Sequence, residues 1–166
     1  IVVELDIDKD FKKYEEYGPL RGLEFQKDLE KISYYAGGRS QTAPAQRVTD
    51  FVEGKLSTNL NDCSYQPGLK SAPLHSLLPK IIGSRLRKGF KEFGKKMNGY
   101  YTEQANIVGV ESRTSSPINI PRNINLEHIN IKGLFPCGEG GGYAGGIVSA
   151  AMDGERCAEA AIKILE

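Results

Sequence analysis

A cluster of glycines near the end of this 166-residue chain restricts its fold more than any other feature. Six glycines fall between residues 138 and 146, after the short apolar segment 132–137 and at the start of the alanine-rich run 144–165. This order predicts a strand, a tight passage and a closing helix. Because glycine has no Cβ, the backbone of the passage can approach a ligand or another element closely.

Two interpretations of the glycine cluster are open. In the first, free amides at the start of the closing helix bind an anionic oxygen, and the Glu139 carboxylate accepts hydrogen bonds from ligand hydroxyls. In the second, the glycines and the small residues Ala150, Ala151 and Gly154 only let the helix pack tightly on a sheet. Close packing explains the small residues but not the acid, so we favour the ligand site.

The spacing of Gly140, Gly142 and Gly145 matches the dinucleotide fingerprint G-x-G-x-x-G. That fingerprint belongs to a βαβ unit whose second strand ends in an acid about 20 residues later. This sequence stops in its helix at Glu166. We therefore expect the cluster to serve a different kind of site.

Composition restricts the classes of protein that remain. With 39% hydrophobic and 26% charged residues, the chain can bury one ordinary core. No apolar run approaches the roughly 20 residues of a membrane span, and no leader peptide opens the sequence, so a soluble, cytoplasmic protein is expected. The three cysteines are widely spaced, and His75 and His128 lack a metal-ligand spacing, so neither a disulfide framework nor a metal site is predicted.

The periodicity of apolar residues predicts a mixture of helices and strands, an α+β fold. Residues 1–7 predict a strand entered midway, which indicates a piece of a longer protein. The other predicted elements are helices at 20–35 and 45–52, a loop at 57–71, two helical segments within 74–97, and strands at 105–111 and 117–120.

The amphipathic segment 80–97 has a strongly basic side, which consists of Lys80, Arg85, Arg87, Lys88, Lys91, Lys95 and Lys96. One interpretation is a noncatalytic interaction domain that binds an acidic partner or nucleic acid through this face. A solvated helix face is the favoured interpretation, because the net charge is only +1 and few aromatic residues lie between the basic ones. No nucleic-acid or membrane partner is expected.

Residues 133–146 resemble the last FAD-binding motif of flavoproteins with glutathione-reductase-like nucleotide-binding domains. In such proteins an apolar strand ends in Gly-Asp or Gly-Glu, and the next helix points its N-terminus at the flavin. The resemblance implies that Gly138 and Glu139 contact the ribityl and phosphate portion. It implies a cofactor-binding segment made of Gly138, Glu139, Gly140, Gly141, Gly142, Tyr143, Ala144, Gly145, Gly146 and Ile147.

Nearly the whole chain resembles the C-terminal portion of a bacterial family of uncharacterised FAD-dependent, or NAD(FAD)-utilising, dehydrogenases. The resemblance is carried by residues 44–51, 64–68, 86–90, 108–117 and 133–158. It implies an inserted substrate-side domain at 1–122 and, at 123–166, the last strand, glycine loop and helix of an α/β FAD-binding domain.

The same resemblance implies electron or hydride transfer through bound FAD, with NAD(P)H as a candidate co-substrate and an unidentified small molecule as substrate. In such families an N-terminal glycine-rich βαβ unit holds the ADP half of FAD. That unit is not in this sequence, so the chain alone is expected to be inactive.

Arg113 and Cys137 are the candidate catalytic residues. Arg113 lies in the polar segment 111–116, where it would pair with an anionic group near the flavin, although a polar turn explains the same residues. Cys137 directly precedes Gly138 and Glu139. Two interpretations of this cysteine are open, a redox role and a small packing residue.

Overall fold

The computed structural model describes residues 1–113 and 115–165, and Thr114 and Glu166 lie outside that part of the chain. The α-helices are α1 (Ile7–Asp10), α2 (Arg21–Ala36), α3 (Val48–Glu53), α4 (Leu74–Leu77), α5 (Lys80–Lys96) and α6 (Ile147–Leu165), and a 3-10 helix spans Lys12–Leu20. The strands are β1 (Ala43–Arg47), β2 (Leu69–Ser71) and β3 (Asn106–Val108). Helices with a small three-stranded sheet confirm the α+β prediction.

The chain divides into two compact units. The first contains residues 1–12 and 27–111, and the second contains residues 13–26 and the described chain from 112 onward. The boundary predicted at residue 122, and the substrate-side and FAD-binding parts on either side of it, remain predictions.

Strand β1 is the centre of the sheet in the first unit. It pairs in parallel with β2, where Ala43 is opposite Leu69, and antiparallel with β3, where Ala45 is opposite Val108. Gln46 on β1 is fully buried, and its amide is satisfied because Nε2 donates to the Lys55 carbonyl at 2.6 Å and Oε1 accepts from the His75 amide at 2.8 Å.

Two predictions around this sheet are corrected. The helix predicted at 45–52 begins only at Val48, because residues 43–45 pair with β2 and residues 45–47 pair with β3. The loop predicted at 57–71 ends in β2 for the same reason. These strands form because segments distant in sequence pair with each other, and the local periodicity of apolar residues does not indicate such pairing.

The strand predicted at residues 1–7 is also wrong. Residues 1–6 belong to no helix or strand, and α1 begins at Ile7. The Asp6 side chain accepts hydrogen bonds from the amides of Asp8 and Lys9, which is a helix N-cap. This local cap starts a helical turn inside the predicted strand.

The core of the first unit lies where α3 packs on α5. The rings of Phe51 on α3 and Phe90 on α5 meet edge to face, with centroids 6.1 Å apart. Helix α3 ends at Gly54, whose φ of +76° forms a left-handed cap. The prediction of two helical segments within 74–97 is confirmed, and the break falls at Pro79 because proline forces Leu78 before it into an extended conformation.

In the second unit, the strands predicted at 117–120 and 132–137 are both wrong. Ile120 donates its amide to the Gly141 carbonyl at 3.1 Å, and the Leu134 carbonyl accepts from the His128 amide at 2.8 Å. These are single hydrogen bonds, and neither segment has a strand beside it among the described residues. A strand needs a ladder of such bonds, so both segments are irregular.

The closing helix is confirmed as α6, although it begins at Ile147 and not at residue 144. Asp153 and Cys157 are buried, whereas Ile147 and Val148 are 93% and 71% exposed. Within the second unit, α6 therefore buries a narrow side that carries an acid and a thiol.

Candidate functional site

The glycine cluster forms a compact loop that two internal hydrogen bonds hold. The Gly142 amide donates to the Glu139 carbonyl at 2.9 Å, and the Tyr143 amide donates to the Gly138 carbonyl at 3.0 Å. Gly138 and Gly142 have φ values of +66° and +83°, which L side chains rarely adopt. The loop therefore has the backbone shape that its glycines permit.

The neighbouring backbone also leaves no room for a side chain at Gly142. A Cβ there would lie 2.5 Å from the Ile118 carbonyl oxygen and 2.9 Å from the Asn119 Cα. The Asn119 side-chain amide donates to the Gly142 carbonyl at 3.0 Å. This close contact holds the loop against residues 118–120.

The start of α6 presents backbone amides that have no acceptor within the described chain. Ser149 Oγ accepts from the Gly146 amide at 3.1 Å, but the amides of Ala144, Gly145, Ile147 and Val148 have no such partner among residues 1–113 and 115–165. The first amides of any helix lack an intrahelical acceptor and carry partial positive charge. This end of the loop can therefore receive an anionic oxygen.

A cleft of about 290 Å³ lies beside Ala144 and Gly145. It is lined by Ser115, Ser116, Glu139, Gly142, Tyr143, Ala144 and Gly145. A Cβ built on Gly145 or Gly140 would have no atom within 4 Å, so the space next to both is open. Two serines, a glutamate and the backbone of the glycine loop thus line one polar space, in which the Ser116 hydroxyl donates to the Ile118 carbonyl at 2.9 Å.

A buried ion pair between Arg122 and Asp153 contacts the glycine loop. The Arg122 guanidinium contacts both carboxylate oxygens of Asp153 on α6, at 2.7 and 3.0 Å, and both side chains are about nine-tenths buried. The Asp153 carboxylate also accepts from the Gly138 amide at 2.9 Å. The hydrogen bond from Arg122 holds the pKa of Asp153 below its usual value, although burial opposes this.

Tyr143 is fixed by the same arginine. The Arg122 guanidinium carbon lies 3.6 Å from the centre of the Tyr143 ring, and the Tyr143 hydroxyl donates to the Ile120 carbonyl at 2.7 Å. Its side chain thus has a supporting role as well as a place in the cleft lining. Arg122 and Asp153 were not identified from the sequence, because Asp153 is one of three acids in α6 and no local pattern distinguishes it.

Of the candidate catalytic residues, Arg113 is not among the described residues that line the cleft, whereas its neighbours Ser115 and Ser116 are. Cys137 is exposed on the loop. Cys157 of α6 contacts the carbonyl of Pro136, the residue before Cys137, and sequence spacing did not indicate this proximity. Burial raises the pKa of the Cys157 thiol, and the positive charge of Arg122 partly opposes that effect.

The other candidates lie apart from the cleft lining. His75 contacts Gln46 in the first unit, and burial, followed by the charge of Arg87, lowers its pKa. His128 Nδ1 accepts from the amides of Asn130 and Ile131, both at 3.1 Å. Among the described residues, no group of three or more His, Cys, Asp or Glu side chains is placed to hold a metal ion.

The basic face of α5 has the predicted amphipathic arrangement. Ile82, Leu86 and Phe90 are buried on the opposite side. Arg85 pairs with Asp10 at 3.0 Å, and Lys95 pairs with Glu92 at 2.8 Å, so part of the positive charge is balanced within the first unit. Whether this face binds a partner remains a prediction.

A larger cleft, of about 590 Å³, lies in the first unit between residues 1–6 and α5. It contains none of the predicted site residues. We therefore take the smaller cleft as the candidate site. No helix in the described parts of the chain is long and apolar enough to cross a membrane.

The chain is similar to an uncharacterized protein of Clostridium beijerinckii, to which it is 45% identical over 143 residues. The match covers 85% of this chain and 27% of the relative. The chain thus spans about a quarter of the length of that relative.

Residues 1–114 match the family model described as FAD-dependent protein, C-terminal domain-like. The matched stretch is more than half of the chain, and it ends before the glycine loop. The chain belongs to this family of FAD-dependent proteins and represents its C-terminal domain-like part.

Proposed function

We propose that residues 138–147 and the cleft beside them bind part of an FAD molecule, and that the full-length protein is an FAD-dependent oxidoreductase. The observation that carries the proposal is the set of amides without acceptors at the start of α6, next to Glu139, in a chain of an FAD-dependent family. The resemblance to the last motif of glutathione-reductase-like flavoproteins supports the same assignment.

The residues of the cleft fit one portion of this cofactor. Backbone amides at a helix start favour anionic oxygens, and the Glu139 carboxylate and the Ser115 and Ser116 hydroxyls suit the hydroxyls of a ribityl chain. Open space beside Gly140 and Gly145 lets a ligand approach the backbone. The volume of about 290 Å³ is at the low end for ligand pockets, so we assign only part of the cofactor to it.

When bound, FAD supplies the electron- and hydride-transfer chemistry, and the protein supplies orientation and electrostatics. In our proposal the amides of Gly145, Ile147 and Val148 favour negative charge next to the start of α6. Arg122 and Asp153 hold the glycine loop against α6, because the carboxylate of Asp153 contacts both Arg122 and the Gly138 amide. NAD(P)H is the candidate co-substrate, and the proposed reaction class is that of a dehydrogenase.

The test compares the flavin content of the full-length wild-type protein with that of a variant that has an additional side chain in the cleft. Gly145→Leu would place a side chain in the open space beside Gly145, which lines the cleft. We expect the purified wild-type protein to show visible flavin absorption and the variant to lose at least about tenfold in FAD affinity, roughly 1.4 kcal/mol.

Gly154→Leu on α6 is the matched control, because a Cβ there also meets no atom within 4 Å and Gly154 does not line the cleft. This variant should keep the wild-type flavin content. A wild-type protein that contains no flavin and does not bind added FAD would refute the proposal. Equal FAD affinity of Gly145→Leu and wild type would refute the assignment of the site.

A further inference from the structure

Two cysteines of the second unit lie together at the junction between the glycine loop and α6. Cys137 directly precedes Gly138, and Cys157 is one turn beyond Asp153 on α6. The Cys157 thiol contacts the Pro136 carbonyl, with Sγ and oxygen 3.8 Å apart. That carbonyl belongs to the peptide bond that joins Pro136 to Cys137, so the Cys157 thiol lies against the backbone of Cys137. Residues 20 positions apart in sequence thus form a thiol pair.

The two thiols differ in exposure, and a cation lies beside the buried one. Cys137 is exposed, whereas Cys157 is only 3% exposed. Arg122 donates from Nη1 to the Cys157 sulfur at 3.3 Å and to the Pro136 carbonyl at 2.8 Å. The positive charge of Arg122 favours the Cys157 thiolate and partly opposes the burial that raises the pKa of this thiol. One thiol is therefore reachable from solvent, and the other is held beside it.

We propose that Cys137 and Cys157 are a redox-sensitive pair that a hydroperoxide converts to a disulfide and that a thiol reductant restores. The Cys137 sulfur attacks the peroxide, an S–O bond forms as the O–O bond breaks, and an alcohol or water leaves. Cys137 is thereby oxidised to a sulfenic acid. The Cys157 sulfur then attacks the Cys137 sulfur, the S–S bond forms, the S–O bond breaks, and water leaves with the proton of the Cys157 thiol.

In total, two thiols and one hydroperoxide give one disulfide, one alcohol and one water. The disulfide would join the residue before Gly138 and Glu139 covalently to α6. This inference concerns only residues of the chain and does not depend on flavin binding. Its test therefore gives a result whether or not the proposed function holds.

The experiment uses the reduced, desalted full-length protein, treated with hydrogen peroxide and then with N-ethylmaleimide. The protein is digested without reductant and its peptides are analysed by mass. We expect the peptides of Cys137 and Cys157 to be joined, lighter together by two hydrogen atoms, and released by dithiothreitol. Cys63, which is exposed in the first unit, should keep its maleimide label.

Variants separate the two steps. In Cys157→Ser, the Cys137 sulfenic acid should accumulate and be trapped by dimedone, whereas in Cys137→Ser the buried Cys157 should stay reduced. The control Cys63→Ser should form the cross-link as the wild type does. Full maleimide labelling of both cysteines after peroxide, or a cross-link from Cys137 to Cys63, would overturn the proposal. The wild-type measurement decides this even if a variant fails to fold.

Discussion

At the scale of single residues, Arg122 connects the parts of the second unit that form the candidate site. Its guanidinium contacts the Asp153 carboxylate, the Pro136 carbonyl and the Cys157 sulfur, and it lies against the Tyr143 ring. A buried guanidinium is tolerated only when its donors are satisfied in this way. The position of the glycine loop on α6 therefore depends on one side chain that does not line the cleft.

Asp153→Asn tests this support through its pH dependence. At neutral pH we expect the variant to lose about 3–5 kcal/mol of unfolding free energy, because Arg122 is left buried without its counter-charge. The folded-state pKa of Asp153 lies below the unfolded value of about 3.9, so its contribution is present above that value and is lost as pH falls through the folded pKa. The difference between wild type and variant, measured by denaturant unfolding at a series of pH values, should shrink under acid conditions.

The control for this prediction is Glu92→Gln. The pKa of Glu92 is also lowered, mainly by the hydrogen bond from Lys95, but this pair is exposed to solvent. We expect no resolvable loss of stability from that change. If the difference in unfolding free energy between wild type and Asp153→Asn stayed constant from neutral to acid pH, the role of the buried carboxylate would be contradicted.

Single residues of the site could be predicted only where a local pattern marks them. The glycines and Glu139 lie in one short segment, so the sequence alone indicated a loop with a carboxylate in it. Arg122 and Asp153 are 31 positions apart, and no local spacing connects them. The same holds for Cys137 and Cys157, whose proximity depends on how α6 lies against the loop.

At the scale of elements, the accuracy of prediction depends on whether an element is held by local or distant contacts. Helices α2, α5 and α6 satisfy their own backbone, and their apolar periodicity predicted them. Strand β1 depends on β2 and β3, and the short apolar runs 117–120 and 132–137 have no adjacent strand among the described residues. Apolar content alone cannot distinguish these cases.

The packing of α5 on α3 gives a prediction at this scale. Phe90→Ala should cost about 3–5 kcal/mol, because it removes a buried ring that meets Phe51 and leaves a cavity. The measurement is the free energy of unfolding from chemical denaturation. Ile81→Ala on the same helix is the control, since Ile81 is 36% exposed, and it should cost clearly less. Equal losses for the two variants would contradict the assigned buried face of α5.

At the scale of the whole molecule, two features matter, namely the share of the relative that the chain matches and the apolar surface of α6. It spans 27% of its Clostridium beijerinckii relative. The exposed residues of α6 include large apolar side chains, namely Ile147, Val148, Met152, Ile162 and Ile164. Apolar side chains grouped on one helix are typical of a surface that another part of a protein covers. The cleft of about 290 Å³ is likewise small for a whole dinucleotide cofactor.

We therefore expect this 166-residue chain alone to bind FAD at least about a hundredfold more weakly than the full-length protein, a difference of roughly 2.7 kcal/mol. The physical reason is that the amides near Ile147 and the Glu139 carboxylate contact only part of the cofactor in our proposal. Equilibrium dialysis with FAD measures both affinities, and a dye-reduction assay with NADH or NADPH should detect turnover only in the full-length protein. FAD affinity of the isolated chain equal to that of the full-length protein, or turnover by the chain alone, would show that the glycine loop and its cleft are a complete site.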